Sequence, residues 1–174
     1  MNRHKEEHMV IEESLHEALY ALMKNKPFTS ITITELINKA GVSRATYYRN
    51  YNSKEQILRE GIRRVLKDFR MEFPIHKYED RFTVNHYNHI FKYATRYRDK
   101  LIILRNSGFS SIYLEELNRF LLDNYATSYS EKEYFELMIF AGAEFNLFFN
   151  YVIDHPHMSY HKFAQLFALP LKFF

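Results

Sequence analysis

Cysteine is absent from the 174 residues, which excludes disulfide staples, thiolate metal sites and cysteine nucleophiles. Tryptophan is missing too, and glycine and proline number four each. So few turn formers, in a chain with 47% apolar residues, suit helices with short connections better than a strand-and-turn protein. Long apolar runs are also lacking. The longest stretch, Leu137 to Ile153, is broken by Glu144, Asn146 and Asn150 and falls short of the roughly 20 residues a membrane span needs. The charged start, MNRHKEEHMV, contains no apolar export core. A soluble, cytoplasmic protein with no membrane partner is therefore expected. Catalytic signatures are missing as well: the sequence offers no Gly-rich phosphate loop, no nucleophile–base pair and no carboxylate dyad. Neither enzymatic activity nor a cofactor is expected.

What is present is a segregated charge. The total is +3, but Lys24 to Lys67 holds ten Lys/Arg against three Glu, a net of +7 that leaves −4 for the remainder. A basic segment on a slightly acidic body suits an anionic partner. Apolar residues Ile11, Leu15, Ala18, Leu19 and Leu22 recur every three or four positions, which predicts a helix over 10–23 that ends before Pro27. Thr32-Ile-Thr-Glu35 reads as a capping box opening a short helix to Ala40, stopped by Gly41. Ser43 caps a third helix, from Arg44 to about Tyr51. Ser53-Lys-Glu-Gln56 reads as a second capping box, at the start of a helix that ends before Pro74. Beyond a polar linker over 73–82, helical patterns recur near 83–98, 99–106, 112–128, 131–153 and 159–169. The predicted fold is all-α. An N-terminal unit of residues 1–73 is followed by a C-terminal helical unit of residues 74–174.

Residues 32–51 have the layout of a helix-turn-helix. Gly41 permits the positive φ of a tight turn, and Ala40 and Val42 are small enough for its elbow. On a wheel of about 100° per residue, Tyr47 and Tyr51 point inward. Ala45 and Arg49 then face outward with Thr46 beside them, while Arg44 and Tyr48 share one shoulder. Small Ala45 permits close approach to DNA. Ser53 and Lys54 sit at a helix N-terminus, where free amides, dipole and ammonium all favour a phosphate.

The segments FTSITITEL, AGVS, TYYRNY and NSKEQ, in this order and spacing, closely resemble the N-terminal domain of TetR-family regulators, over roughly residues 10–66. The resemblance implies double-stranded DNA as partner, with Tyr48 and Lys54 on phosphates. It places Arg44, Ala45 and Thr46 against bases or backbone, with Thr34 also in reach. Thr32, Ser43 and Arg49 complete the expected contact set. Two positions depart from the pattern: Tyr51 stands where Phe is usual, and Ile37 where a small Ala is common. More weakly, FAGAEFNLFF and the following NYVIDHP resemble the long dimer-forming helix of a small subgroup related to the dihydroxyacetone-kinase operon activator. A homodimer on a palindromic operator, acting as a ligand-responsive repressor, is the function this implies.

In the C-terminal unit, Phe91, Tyr97, Tyr125, Phe145 and Phe148 are candidate lining residues for a small-molecule effector. Gly142, Ala143, Leu147 and Tyr151 are candidates for the dimer interface, because helix 131–153 is apolar nearly all round and so needs cover on more than one face. Ordinary core packing competes with the ligand reading for each aromatic. A DNA-tethered module whose C-terminal half binds a protein is the alternative. The nine histidines also admit a metalloenzyme, a weaker reading because no His-Glu-x-x-His helix is present. No metal is expected.

Overall fold

The computed structural model describes residues 3–75, 80, 83–126 and 130–147, together with 153–155, 157, 159, 161, 162 and 165. Among these there are eight α-helices and no strand: α1 (Arg3–Met23), α2 (Ile33–Ala40), α3 (Arg44–Asn50), α4 (Lys54–Glu72), α5 (Val84–Arg96), α6 (Arg98–Asn106), α7 (Ser110–Tyr125) and α8 (Glu131–Asn146). The all-α expectation holds. Helix α1 begins a full two turns before the predicted Val10, since its polar first half carries no apolar stripe to announce it. The far end of the predicted 131–153 helix differs as well, because Ile153 and Asp154 form a turn. Positions 148–152 and most of the predicted helix 159–169 lie outside the described residues.

Local chemistry explains most boundaries. The Thr32 hydroxyl accepts from the Glu35 amide at 3.2 Å, and the Glu35 carboxylate accepts from the Thr32 amide at 2.9 Å. This is the reciprocal box the sequence predicted. At the start of α4 the Ser53 hydroxyl accepts from the Gln56 amide, but the Gln56 side chain accepts from Asn52, one residue too early for a reciprocal box. Thr83 and Ser130 cap α5 and α8 in the same way as Ser53 caps α4. Gly108, at φ +77°, turns the chain between α6 and α7.

Helix α1 packs on α2 and α4, α4 on α7, and α7 on α8, while α1 also meets α6. The buried cluster runs without a break from Leu15 and Leu19 in α1, through Leu58 and Leu66 in α4, to Leu117 in α7 and Leu137 in α8. Its 19 residues make α4 the shared beam between the N-terminal helices and the rest. At one crossing Gly61 makes room for His16: a Cβ at Gly61 would lie 1.9 Å from the imidazole Nε2. Burial, reinforced by Lys100, pushes that imidazole down to about 4, so it is neutral at physiological pH.

Polar links bind the same two halves. Glu116 of α7 is 1% exposed, and its carboxylate accepts from Arg63 Nε at 2.6 Å and from Arg59 at 3.1 Å. Burial raises its pKa, but the hydrogen bonds from Arg63 and Arg59 outweigh that, and the net shift is downward. Lys100 of α6 pairs with Glu17 of α1. The rings of Phe28 and Phe109 meet edge-on at 4.6 Å. No helix among the described residues is long and apolar enough to cross a membrane.

Candidate nucleic-acid interface

Helices α2 and α3 are joined by three residues. Gly41 adopts φ 67°, ψ 28°, and the Val42 amide donates back to the Ile37 carbonyl at 3.0 Å. A Cβ at Gly41 would meet no atom within 4 Å, so the glycine is required for its backbone conformation and not for space. The Ser43 hydroxyl then accepts from the Thr46 amide at 3.1 Å and lies 2.8 Å from the Thr46 hydroxyl, starting α3.

Helix α3 is held from beneath. Tyr47 is fully buried and Tyr51 nearly so, their rings 6.1 Å apart, while Leu36 and Ile37 are buried on the facing side of α2. Ile37 therefore fits the α2–α3 packing despite being larger than the usual Ala. Anchoring through Tyr47 leaves the opposite side of a seven-residue helix to solvent: Arg44, Ala45, Tyr48 and Arg49 are all exposed. Tyr48 stands edge-on to Tyr47 at 5.1 Å and is 54% exposed, so its phenol reaches outward from a braced base.

The expected contact residues fall into linked groups. Arg44 donates to the Thr34 hydroxyl at 2.6 Å, drawing the N-termini of α2 and α3 into one exposed polar edge. Ser43 and Thr46 form the neighbouring pair. Thr32 is exposed at the α2 N-terminus, with Glu35 across its first turn. Glu35 also pairs with Lys26, and these hydrogen bonds, that from Lys26 first, hold its carboxyl down at about 2. An acid at the edge of a basic face is thus neutralised by its own neighbours.

Lys54 is differently placed from a free phosphate-binding ammonium. It donates to the Phe28 carbonyl at 2.7 Å and to that of Ile31, and it lies over the Phe28 ring at 4.6 Å. Burial, followed by repulsion from Lys26, lowers its pKa. Two of its three hydrogens are engaged; the third remains for an anion. No local pattern signals this second duty, since Phe28 and Ile31 lie 26 and 23 positions away.

In the C-terminal half, Phe91, Tyr125 and Phe145 are partly buried against the main cluster, with Phe145 stacked on Tyr113 at 6.5 Å. Tyr97 lines a narrow cavity with His16, Tyr20 and Lys100. Phe148 and Tyr151 lie outside the described residues. A second cavity lies between α4, α5, α7 and α8 and is lined by Glu144, which is not among the expected aromatics. The available signal was its spacing, since Leu137, Phe140, Ala141 and Glu144 fall on one helical face. On α8 the core face is Leu137, Phe140 and Ala141, while Tyr134, Phe135 and Ile139 are exposed. Among the described residues no group of three or more His, Asp or Glu is placed to hold a metal ion.

Residues 15–60 match the family described as bacterial regulatory proteins, tetR family. No curated protein matches the chain. Two solved structures share the fold over nearly the whole length. A TetR transcriptional regulator from Streptococcus agalactiae 2603V has a TM-score of 0.62 at 18% identity, covering 98% of this chain and 99% of that one. A second, described as the dihydroxyacetone kinase operon activator DhaS, has a TM-score of 0.59 at 14% identity, covering 94% and 95%.

Proposed function

We propose that this chain, whose residues 15–60 match the tetR family of bacterial regulatory proteins, is a homodimeric, sequence-specific DNA-binding repressor released by a small-molecule effector. The observation that carries the reading is the two-sided α3. Tyr47 and Tyr51 fix one face in the core, and the opposite face presents Arg44, Ala45, Tyr48 and Arg49 to solvent. An α-helix so presented fits the major groove, whose base edges it can read. Arg44 is the base-reading residue, suited to bidentate donation to guanine. Tyr48 and Lys54 are phosphate holders that position without specifying. Thr32, Thr34, Ser43, Thr46 and Arg49 complete the proposed contact set.

Residues 74–174 form the effector and dimerisation half, with Gly142, Ala143 and Leu147 in the seam. A bound effector favours a dimer geometry unsuited to the operator, so its differential affinity for the two states sets the response. The exposed Tyr134, Phe135 and Ile139 also support a second reading, in which this face docks a different protein.

Selection from a random DNA pool tests the proposal. The wild type should enrich an approximate palindrome, and Arg44→Ala should lose preference at one base position per half-site, at a cost of about 1–3 kcal/mol. An unchanged motif with Arg44→Ala removes the base-reading assignment.

A further inference from the structure

Glu144 is 7% exposed and sits on the core face of α8. It lines a cavity whose other walls are apolar or aromatic: Leu66 and Phe69 of α4, Ile90 and Tyr93 of α5, and Tyr113 of α7. Centres of water-sized groups have about 40 Å³ there, several times what a single water needs. Buried carboxyls ordinarily have an arginine, a lysine or backbone amides to meet them. The contrast within this fold is direct, for Glu116 is buried too and is met by Arg59 and Arg63. Among the described residues no hydrogen bond or ion pair reaches the Glu144 carboxyl. The titratable groups facing it are the phenols of Tyr93 and Tyr113, both kept neutral by burial, and α4 turns only carbon toward the cavity.

We propose that this cavity is the effector site and that it takes a small aliphatic amine, whose ammonium group meets Glu144 while its hydrocarbon body lies among the rings. The inference rests on the reading of residues 74–174 as an effector domain. A cation supplies the one charge the site lacks, and the faces of Phe69, Tyr93 and Tyr113 add quadrupolar attraction for an ammonium. A carboxylate ligand would set two acids together in an apolar space. An alcohol would leave the carboxyl neutral and gain one ordinary hydrogen bond. Burial pushes the Glu144 carboxyl up to about 8, so it carries a proton at pH 7. Binding a protonated amine ionises it: the proton leaves for solvent, and the carboxylate–ammonium pair takes its place.

Calorimetric titration of the full chain at pH 7 tests this with three isosteres: 2-methylpropylamine, 2-methylpropanol and 2-methylpropanoate. Each is titrated in two buffers of different ionisation enthalpy. The expected result is an amine affinity about tenfold or more above that of the alcohol, consistent with a charge-assisted hydrogen bond, and release of roughly one proton per amine bound. Glu144→Gln, checked for its helical signal, should lose the preference and bind the amine no better than the alcohol, because an ammonium has no counter-charge there. Preference for the alcohol or the carboxylate, amine binding without proton release, or no saturable binding of the amine overturns the inference. Because DNA selection is carried out without ligand, a failure here is distinct from a failure of the DNA-reading assignment.

Discussion

Tyr47 and Tyr48 are adjacent in the chain and opposite in environment. The Tyr47 ring is fully buried, and its hydroxyl has no hydrogen-bond partner among the described residues, whereas the Tyr48 ring is half in solvent. A buried, unmet hydroxyl costs about 1–3 kcal/mol, so Tyr47→Phe should leave stability unchanged or raise it by about 1 kcal/mol, with DNA affinity intact. Tyr48→Phe should do the reverse: stability stays constant, and affinity falls similarly for every DNA sequence. Urea denaturation and fluorescence anisotropy separate the two. Helical periodicity was enough to tell these tyrosines apart, because α3 has a single apolar face. It could not sort Tyr134 from Phe140, because α8 is apolar nearly all round and only packing on α7 decides which side is covered. Glu144 carries a second residue-level prediction. Its folded pKa is raised to about 8 from the ordinary 4.5, so between those values the unfolded chain ionises while the folded one does not. Stability should therefore be full below about pH 4.5 and decline as pH rises towards 8, by roughly 3–5 kcal/mol relative to Glu144→Gln. Taking the difference between the two proteins in urea cancels the opposite trend of His16, whose lowered pKa costs stability as pH falls below its ordinary 6.5. A flat difference across this window contradicts the burial of a lone carboxyl.

At the scale of elements, the N-terminal helices were legible because their ends are written in local chemistry. Thr32 with Glu35, Gly41 and Ser43 each satisfy backbone groups within a few residues, and the helices begin and end where those residues dictate. What joins the elements was not legible. The Glu116 bridge spans 53 and 57 positions to Arg63 and Arg59; helical spacing puts Glu116 on the face of Ile112, Tyr113 and Leu117, but nothing local names its distant partners. This bridge fixes α7 to the middle of α4, whose N-terminus carries Lys54 beside α3. Glu116→Gln should destabilise the fold by about 1.5–3 kcal/mol, the range for hydrogen bonds to charged groups, and because both arginines reach solvent the lower end is expected. A double-mutant cycle with Arg63→Met checks it in urea: a coupling of at least about 0.5 kcal/mol supports the bridge, and simple additivity denies it.

On the scale of the whole molecule, one continuous buried cluster joins the helices proposed to read DNA to the half proposed to bind the effector, so strain in one half can be felt in the other. Oligomeric state is where the single chain points beyond itself. Phe135 and Ile139 are exposed on α8 and Gly142 follows them at helical spacing, where a Cβ would meet nothing within 4 Å among the described residues. Gly142→Arg therefore has room in the monomer. Under the proposed dimer it should halve the mass seen by light scattering while the helical signal persists, and with it abolish tight operator binding although every residue proposed to contact DNA remains. A still-dimeric Gly142→Arg places the seam elsewhere. The central claim, that two copies of α3 read one palindromic site, implies recognition helices about 34–36 Å apart or a multiple of that distance. Its most direct measurement is a paired titration of the selected palindrome and a scrambled duplex of equal length, with the mass of each complex recorded. The account predicts two protomers per palindrome and a preference of about 10³ or more over the scrambled duplex at physiological salt. Equal affinity for the two duplexes, or one protomer bound to the palindrome at saturation, would contradict it.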